Sequence, residues 1–170
     1  MHRPPALLSE RIDRLSSSLV RDILATTARP GVISFAGGLP AAELMPPLPL
    51  EATSDPALYQ YGPSEGEPMF REAVADWIGE AGLRVSPDQV LALAGSQQGL
   101  DFAAKLLIDR GTPMLTEAPT YVAALQVFEL FGADLCTVPL TGNGPDLATL
   151  EATLARHRPR CIYLIPSFQN

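Results

Sequence analysis

Three loops of the sequence carry polar side chains of the types that bind anions and aromatic rings. The first loop, Gly95-Ser96-Gln97-Gln98, follows the apolar run Val90–Ala94 and opens a predicted helix. Glycine lets a ligand approach the backbone, and the first amides of a helix lack an intrahelical acceptor, so this loop is able to bind a phosphate. A serine N-cap without any ligand is the plainer interpretation. No Gly-Lys-Ser/Thr follows, which excludes a Walker A loop.

The second and third loops supply an aromatic ring and an amide. Tyr121 lies in the first turn of a predicted helix, where its flat face can stack on an aromatic ligand or cover a surface or domain interface. Asn170 follows the predicted strand Cys161–Ile165 and is the last residue of the chain. Chains rarely end where a buried strand opens onto a ligand crevice. The sequence therefore predicts a truncated domain.

Alternating strands and helices bring these loops together. Apolar runs predict the strands Val90–Ala94, Pro113–Thr116, Leu135–Val138 and Cys161–Ile165. Helices are predicted between them over about 97–109, 120–131 and 146–156, the last of them capped by Asp146. This alternation indicates an α/β fold, namely a three-layer, mostly parallel sheet covered on both faces. Ligands of such sheets bind at the carboxyl ends of the strands, where the three loops lie.

One further helix is predicted before the sheet. It starts at Pro68, with Ser64 and Glu67 as a capping box, and Gly82 closes it. Its apolar residues recur at helical spacing and predict a buried stripe: Phe70, Ala73, Val74, Trp77, Ile78 and Ala81.

The first part of the chain is irregular and proline-rich, apart from an amphipathic helix predicted over about 10–27. We therefore divide the chain into residues 1–66, an N-terminal helix and extended arm, and residues 67–170, part of an α/β domain.

The composition excludes several classes of protein. The 170 residues are 46% hydrophobic and 18% charged, which predicts a folded core. A net charge of −7 without a basic run argues against nucleic-acid binding. No apolar stretch is long enough for a membrane span or a secretory signal, so we expect a cytoplasmic protein. Cys136 and Cys161 lack metal-ligand spacing and are interpreted as reduced, buried strand residues rather than as a disulfide or metal site.

Five segments, in order along the chain, resemble the fold-type-I pyridoxal-phosphate aminotransferases. The resemblance points to the subgroup of 2-aminoadipate and kynurenine aminotransferases and to the aminotransferase-like domain of MocR-type regulators. It implies the large-domain fold of those enzymes, pyridoxal 5'-phosphate as cofactor, and transfer of an amino group between an amino acid and a 2-oxo acid, in a homodimer. The five segments are Ile33–Pro40, Tyr59–Gly66, Gly95–Gln98, Glu117–Tyr121 and Tyr163–Asn170.

The resemblance also implies cofactor contacts. Gly95, Ser96 and Gln97 would bind the phosphate, in agreement with the helix-end chemistry of that loop. Tyr121 would stack on the pyridine ring. Asn170 would hydrogen-bond the 3-oxygen of that ring.

Four other residues receive roles from the same resemblance. Tyr61 would reach the phosphate from the neighbouring subunit, and a turn aromatic is the alternative interpretation. Arg21 would meet a side-chain carboxylate of the substrate, or else is a solvated helix arginine. Gly38 and Leu39 would line the substrate pocket.

The family's Schiff-base lysine is not found in this sequence. The single lysine, Lys105, follows Asp101 by four residues, which predicts a surface ion pair about 12–13 Å along the helix from its phosphate-binding end. We therefore assign no catalytic residue. We expect the N-terminal half of an aminotransferase, inactive alone and with exposed apolar surface, unless a complementary C-terminal chain binds it. A non-catalytic ligand-binding or interaction fragment of the same fold is the alternative.

Overall fold

The structure is a computed structural model of the 170-residue chain. The chain forms two compact units, residues 1–39 with 96–170, and residues 40–95. The division predicted at residue 66 stays a prediction. The described residues are 9–14, 23, 26, 30–33, 35, 41–45 and 59–169.

A four-stranded sheet forms the centre of the larger unit. Its strands are β1 (Pro113–Ala118), β2 (Asp134–Thr141), β3 (Gly144–Pro145) and β4 (Cys161–Tyr163). They lie in the order β3-β2-β1-β4. β1 runs parallel to both β2 and β4, and β3 adds a short antiparallel pairing to β2. The predicted α/β class with a mostly parallel sheet is confirmed for this part of the chain.

Three helices accompany the sheet close to the predicted positions: α2 (Ser96–Leu107), α3 (Val122–Phe131) and α4 (Leu147–His157). The core joins α2, β1 and α3. Its buried members are Ala104, Ile108, Met114, Ala124, Val127 and Phe128.

Both faces of the sheet are covered only at its centre. In β1 the four residues from Met114 to Glu117 are all buried, as expected for a strand packed on two sides. In β2 burial alternates, with Cys136 and Val138 buried, Leu135 half-buried, and Thr137 and Pro139 exposed. The prediction of a sheet covered on both faces is therefore confirmed for β1 and wrong for β2.

The start of α4 is capped as predicted. The Oδ1 atom of Asp146 accepts a hydrogen bond from the backbone N–H of Thr149 at 2.8 Å. This satisfies one of the helix's unpaired amides. The hydrogen bonds from Thr149 also lower the pKa of the Asp146 carboxyl below its ordinary value.

The run Val90–Ala94, predicted as the first strand, is not a strand. Val90 has extended dihedral angles, but Leu91 is 50% exposed and no strand of the described residues pairs with this run. The backbone N–H of Ala92 instead donates to the carbonyl of Glu65 at 2.8 Å. Apolar composition favours burial, but a strand also needs a second strand to share its hydrogen bonds.

The smaller unit contains α1 (Pro68–Glu80). The helix begins at Pro68, and a left-handed Gly82 follows its end, both as predicted. The predicted capping box is wrong, because Glu67 is the N-cap itself and makes no side-chain capping bond. Pro68 has no N–H to satisfy, so the first turn needs less capping.

The apolar stripe predicted on α1 is not buried, since Val74 and Ile78 are half-buried and its other members are exposed. Trp77 is 71% exposed, Phe70 is also exposed, and Ala75 is the only buried residue of this helix. Helical spacing shows which residues share a face, but it does not show what covers that face.

The N-terminal helix predicted over 10–27 is described only in part. Glu10–Arg14 forms a 3₁₀-helix, and Ile23 and Thr26 are helical. Among the described residues, no helix has the length and apolar character required to cross a membrane.

Candidate functional site

The first candidate loop is exposed and open around its glycine. Gly95 has φ +127°, a left-handed conformation that side chains rarely adopt, and no atom lies within 4 Å of where a Cβ would stand. Ser96 begins α2, one residue earlier than predicted, and both Ser96 and Gln97 are exposed. The first amides of a helix have no intrahelical acceptor, and the helix dipole is positive there. The loop can therefore donate hydrogen bonds to an anion.

A hydrogen bond joins this loop to the start of the next helix. Nε2 of Gln97 donates to the backbone carbonyl of Ala123, in the first turn of α3, at 3.4 Å. Tyr121 stands at the N-cap of α3, one residue before the first turn in which it was predicted. The hydrogen-bond donors at the start of α2 and the aromatic residue at the start of α3 thus belong to neighbouring helix starts.

The ring of Tyr121 is half-buried and packs against the hydrophobic core. Its neighbour Tyr163 makes an edge-to-face contact with Phe128, with 5.4 Å between ring centroids. Burial raises the pKa of the Tyr163 hydroxyl above its ordinary value, and smaller electrostatic contributions from the nearby Tyr121 and Glu117 raise it further. Its hydroxyl therefore stays protonated at neutral pH.

The third loop is fastened to the end of β1. Oε2 of Glu117 accepts hydrogen bonds from the backbone N–H of Ile165 at 2.9 Å and from Nε2 of Gln169 at 3.2 Å. The same Nε2 of Gln169 donates to the carbonyl of Pro119 at 3.3 Å. Gln169 thus contacts the segment that leads from β1 into Tyr121.

Two buried hydroxyls in this region lack partners. Oγ1 of Thr116 and Oγ1 of Thr120 are buried and make no hydrogen bond within the described part of the chain. A buried polar atom without a partner costs about 1–3 kcal/mol of stability. Thr120 directly precedes Tyr121. The exposed start of α2 supplies hydrogen-bond donors and the start of α3 a half-buried ring, which are the group types that a phosphorylated aromatic ligand needs.

Lys105 lies where the sequence predicted. Its Nζ forms an ion pair with Oδ2 of Asp101, one turn earlier on α2, and lies over the ring of Phe102. It is in the third turn of the helix, past the start that carries Ser96 and Gln97.

The roles of the remaining predicted site residues stay predictions. Tyr61 belongs to the smaller unit and its side chain is fully solvent-exposed. Arg21, Gly38, Leu39 and Asn170 lie outside the described residues. Among the described residues, no cluster of three His, Cys, Asp or Glu side chains is placed to bind a metal ion.

The two cysteines lie in strands, as predicted. Cys136 is buried in β2 and Cys161 is half-buried in β4, and both are free thiols. Burial raises the pKa of both thiols above the ordinary value, with a further contribution from Asp134 at Cys136.

Sequence reasoning missed Glu117, which it placed in a motif without a role. The available signal was an acidic residue inside an apolar run that predicted a buried strand, because a buried carboxylate needs hydrogen-bond donors.

Comparisons with known proteins identify the family of the chain. The family model for aminotransferase class I and II matches residues 32–170. The chain belongs to this family. It is 48% identical over 165 residues to the 2-aminoadipate transaminase of Thermus thermophilus, covering 92% of this chain and 40% of that protein.

Two solved structures match the same region. The α-aminoadipate aminotransferase of Thermus thermophilus, complexed with N-(5'-phosphopyridoxyl)-L-leucine, matches with a TM-score of 0.77 and 42% identity, over 96% of this chain and 41% of that one. The kynurenine aminotransferase of Pyrococcus horikoshii, in complex with PMP, matches with a TM-score of 0.80 and 31% identity, over 96% and 44%. The chain thus spans about two fifths of these relatives and corresponds to their N-terminal portion.

Proposed function

We propose that this chain forms the N-terminal part of the cofactor site of a pyridoxal-phosphate-dependent aminotransferase. The hydrogen bond from Gln97 to Ala123 carries the proposal, because it puts the donors at the start of α2 beside Tyr121 at the start of α3. The bound phosphopyridoxyl compound and PMP of the two similar enzymes support the choice of ligand.

Each residue then has a defined task. The loop Gly95–Gln97 donates hydrogen bonds to the phosphate, and the ring of Tyr121 covers one face of the pyridine and keeps water from it. Asn170 hydrogen-bonds the 3-oxygen, and Tyr61 reaches the phosphate of the other protomer in a homodimer. When bound, pyridoxal phosphate supplies the electron sink that amino-group transfer requires.

The substrate side of the proposal rests on residues outside the described part of the chain. Arg21 binds a side-chain carboxylate of the amino acid, and Gly38 and Leu39 line the pocket. The relatives' names make a dicarboxylic or aromatic amino acid and a 2-oxo acid the substrates to test.

These 170 residues on their own hold the cofactor without a covalent bond. Lys105 lies in the third turn of α2, where it pairs with Asp101, and not at the loop that binds the phosphate. Aminotransfer also needs a base that moves the proton at the substrate α-carbon. We therefore propose that this chain by itself binds pyridoxal phosphate reversibly and does not transaminate.

A comparison of ligands and variants tests the binding proposal. Pyridoxal 5'-phosphate should bind more tightly than pyridoxal, because pyridoxal lacks the phosphate that the start of α2 recognises. Tyr121→Leu should weaken binding of pyridoxal phosphate by roughly 2–10-fold and leave binding of inorganic phosphate unchanged. Tyr59→Leu, an exposed tyrosine change, is the matched control. Equal affinity for both pyridoxals would contradict the proposed phosphate site.

The activity proposal has a separate test. An amino donor and 2-oxoglutarate should give no turnover above that of free pyridoxal phosphate, in both the wild type and Lys105→Ala. Rapid turnover that survives Lys105→Ala would show that the site is complete without that lysine, and the proposal would then be wrong.

A further inference from the structure

Glu117 is the one charged side chain that is buried among the described residues, with 4% of its surface exposed. Burial of a carboxylate is costly unless donors satisfy it. The proposed phosphate and ring contacts use other residues, so they do not explain its position.

The hydrogen bonds of Glu117 begin where the backbone ladder stops. The pairing of β1 with β4 ends at Thr116 and Tyr163. Two residues further on, the backbone N–H of Ile165 donates to Oε2 of Glu117 at 2.9 Å. The side chain thus continues the attachment of the chain to β1 after the strand itself has ended.

The same carboxylate oxygen also reaches the far end of this segment. Nε2 of Gln169 donates to it at 3.2 Å and to the carbonyl of Pro119 at 3.3 Å. Residues 165 and 169 are therefore both tied to the stretch 117–119, which leads directly to Tyr121.

The geometry points to Glu117 as a positioning residue. It holds the segment 164–169, which directly precedes Asn170 in the sequence, against the end of β1. It acts through Ile165 and Gln169. The consequence for the cofactor rests on the proposed function, in which Asn170 and Tyr121 contact the same ring.

A carboxylate suits this role for two reasons. One oxygen accepts hydrogen bonds from both Ile165 and Gln169. Hydrogen bonds to a charged acceptor are also stronger than those to a neutral one. Glutamine at this position retains an oxygen acceptor, whereas methionine retains the volume and leaves the Ile165 N–H without its partner.

Amide hydrogen exchange, measured residue by residue by NMR on the full chain, tests whether Glu117 holds the segment. Glu117→Met should accelerate exchange at Ile165 by about tenfold or more, and Glu117→Gln should restore most of the protection. Glu129→Met, on the exposed side of α3, is the matched control and should leave Ile165 unchanged. Unchanged exchange at Ile165 in Glu117→Met would overturn the role.

Ligand binding tests the consequence for the site. Glu117→Met and Gln169→Leu should each weaken the binding of pyridoxal 5'-phosphate by several-fold. Both variants should bind inorganic phosphate as the wild type does, because neither substitution changes the start of α2. Gln169 lies outside the sheet, so the Gln169→Leu variant tests the effect on ligand binding even if Glu117→Met does not fold. Unchanged affinity for pyridoxal 5'-phosphate in both variants would overturn the consequence for the cofactor.

The two proposals fail in different ways. If the wild-type chain binds neither ligand, the proposed function is wrong and the consequence for the cofactor falls with it. Exchange at Ile165 still decides whether Glu117 holds the segment. If the wild type binds pyridoxal phosphate and Glu117→Met changes neither measurement, the proposed function stands and the role of Glu117 is wrong.

Discussion

At the scale of single residues, Gly95 determines the backbone conformation of the loop Gly95–Gln98, which is proposed to bind the phosphate. Its left-handed backbone is accessible to glycine without strain, and the space around it is open. The residue next to it begins α2, so a change in this conformation also moves the first amides of the helix. A backbone requirement, rather than a side-chain contact, therefore fixes the residue type here.

Gly95→Ala should lower the free energy of unfolding by about 1–3 kcal/mol through backbone strain and should weaken phosphate binding. Gly79→Ala is the matched control, because Gly79 lies inside α1 with open space around its Cβ position. Alanine there should raise stability by about 0.5–1 kcal/mol. Urea denaturation measures both changes, and a Gly95→Ala protein as stable as Gly79→Ala would contradict the assigned backbone conformation.

The two cysteines should react slowly in the folded chain. Because burial raises the pKa of Cys136 and Cys161, the thiolate fraction at pH 8 is lower than in the unfolded chain. Alkylation by iodoacetamide, followed by mass spectrometry, should be slower in buffer than in urea and should accelerate as the pH rises above the ordinary thiol pKa. Equal rates in buffer and urea at pH 8 would show that the strands do not protect the thiols.

At the scale of elements, the start of α4 depends on a charge. The pKa of Asp146 is lowered by its hydrogen bonds from Thr149, so the cap contributes stability above the ordinary carboxyl pKa. That contribution is lost as the pH falls through the lowered pKa. Asp146→Ala should therefore be less stable than the wild type at neutral pH, and the two should converge as the pH is lowered.

Thermal unfolding monitored by circular dichroism between neutral pH and pH 3 measures this convergence. Glu151→Ala, an exposed change further along α4, is the control and should show no comparable gap at neutral pH. A gap between wild type and Asp146→Ala that stays constant with pH would contradict the charged cap.

The same scale shows what the sequence could predict. Helix starts and ends that depend on local chemistry, such as Pro68 and Asp146, were predictable because the capping partners lie within a few residues. Local composition could not show that Val90–Ala94 is not a strand, because a strand needs a distant partner that local composition does not specify. The prediction of a buried stripe on α1 was wrong for a similar reason, since periodicity says nothing about what covers a face.

The candidate site was predictable to the same limited extent. Ser96, Gln97 and Tyr121 were selected because each follows a predicted strand, although the run before Ser96 is not a strand in the structure. The contacts between them, such as the one from Gln97 to Ala123, join residues 26 positions apart and depend on tertiary packing. Glu117 escaped notice because its donors, Ile165 and Gln169, are 48 and 52 positions away.

At the scale of the whole molecule, a large share of the apolar surface is exposed. Exposed apolar side chains lie on α1 and α2 and beside β4, among them Phe70, Trp77, Leu106, Ile162 and Leu164. β4 also lies at one edge of the sheet formed by the described residues. Exposed apolar patches and open strand edges favour association.

The chain alone should therefore self-associate or unfold over a broad temperature range. Sedimentation velocity should show species larger than 18.2 kDa whose proportion rises with concentration. Leu106→Gln, at a residue that is 82% exposed, should reduce association without lowering stability. A monodisperse monomer with a sharp thermal transition would contradict the prediction.

The most direct measurement is a map of the amides that shift when pyridoxal 5'-phosphate is added to the ¹⁵N-labelled chain. We predict that the largest shifts occur at Ser96, Gln97 and Tyr121, in both the wild type and Lys105→Ala, and that they reverse on dialysis. Shifts confined to other parts of the molecule, or no shifts at saturating ligand, would contradict the assignment of this site.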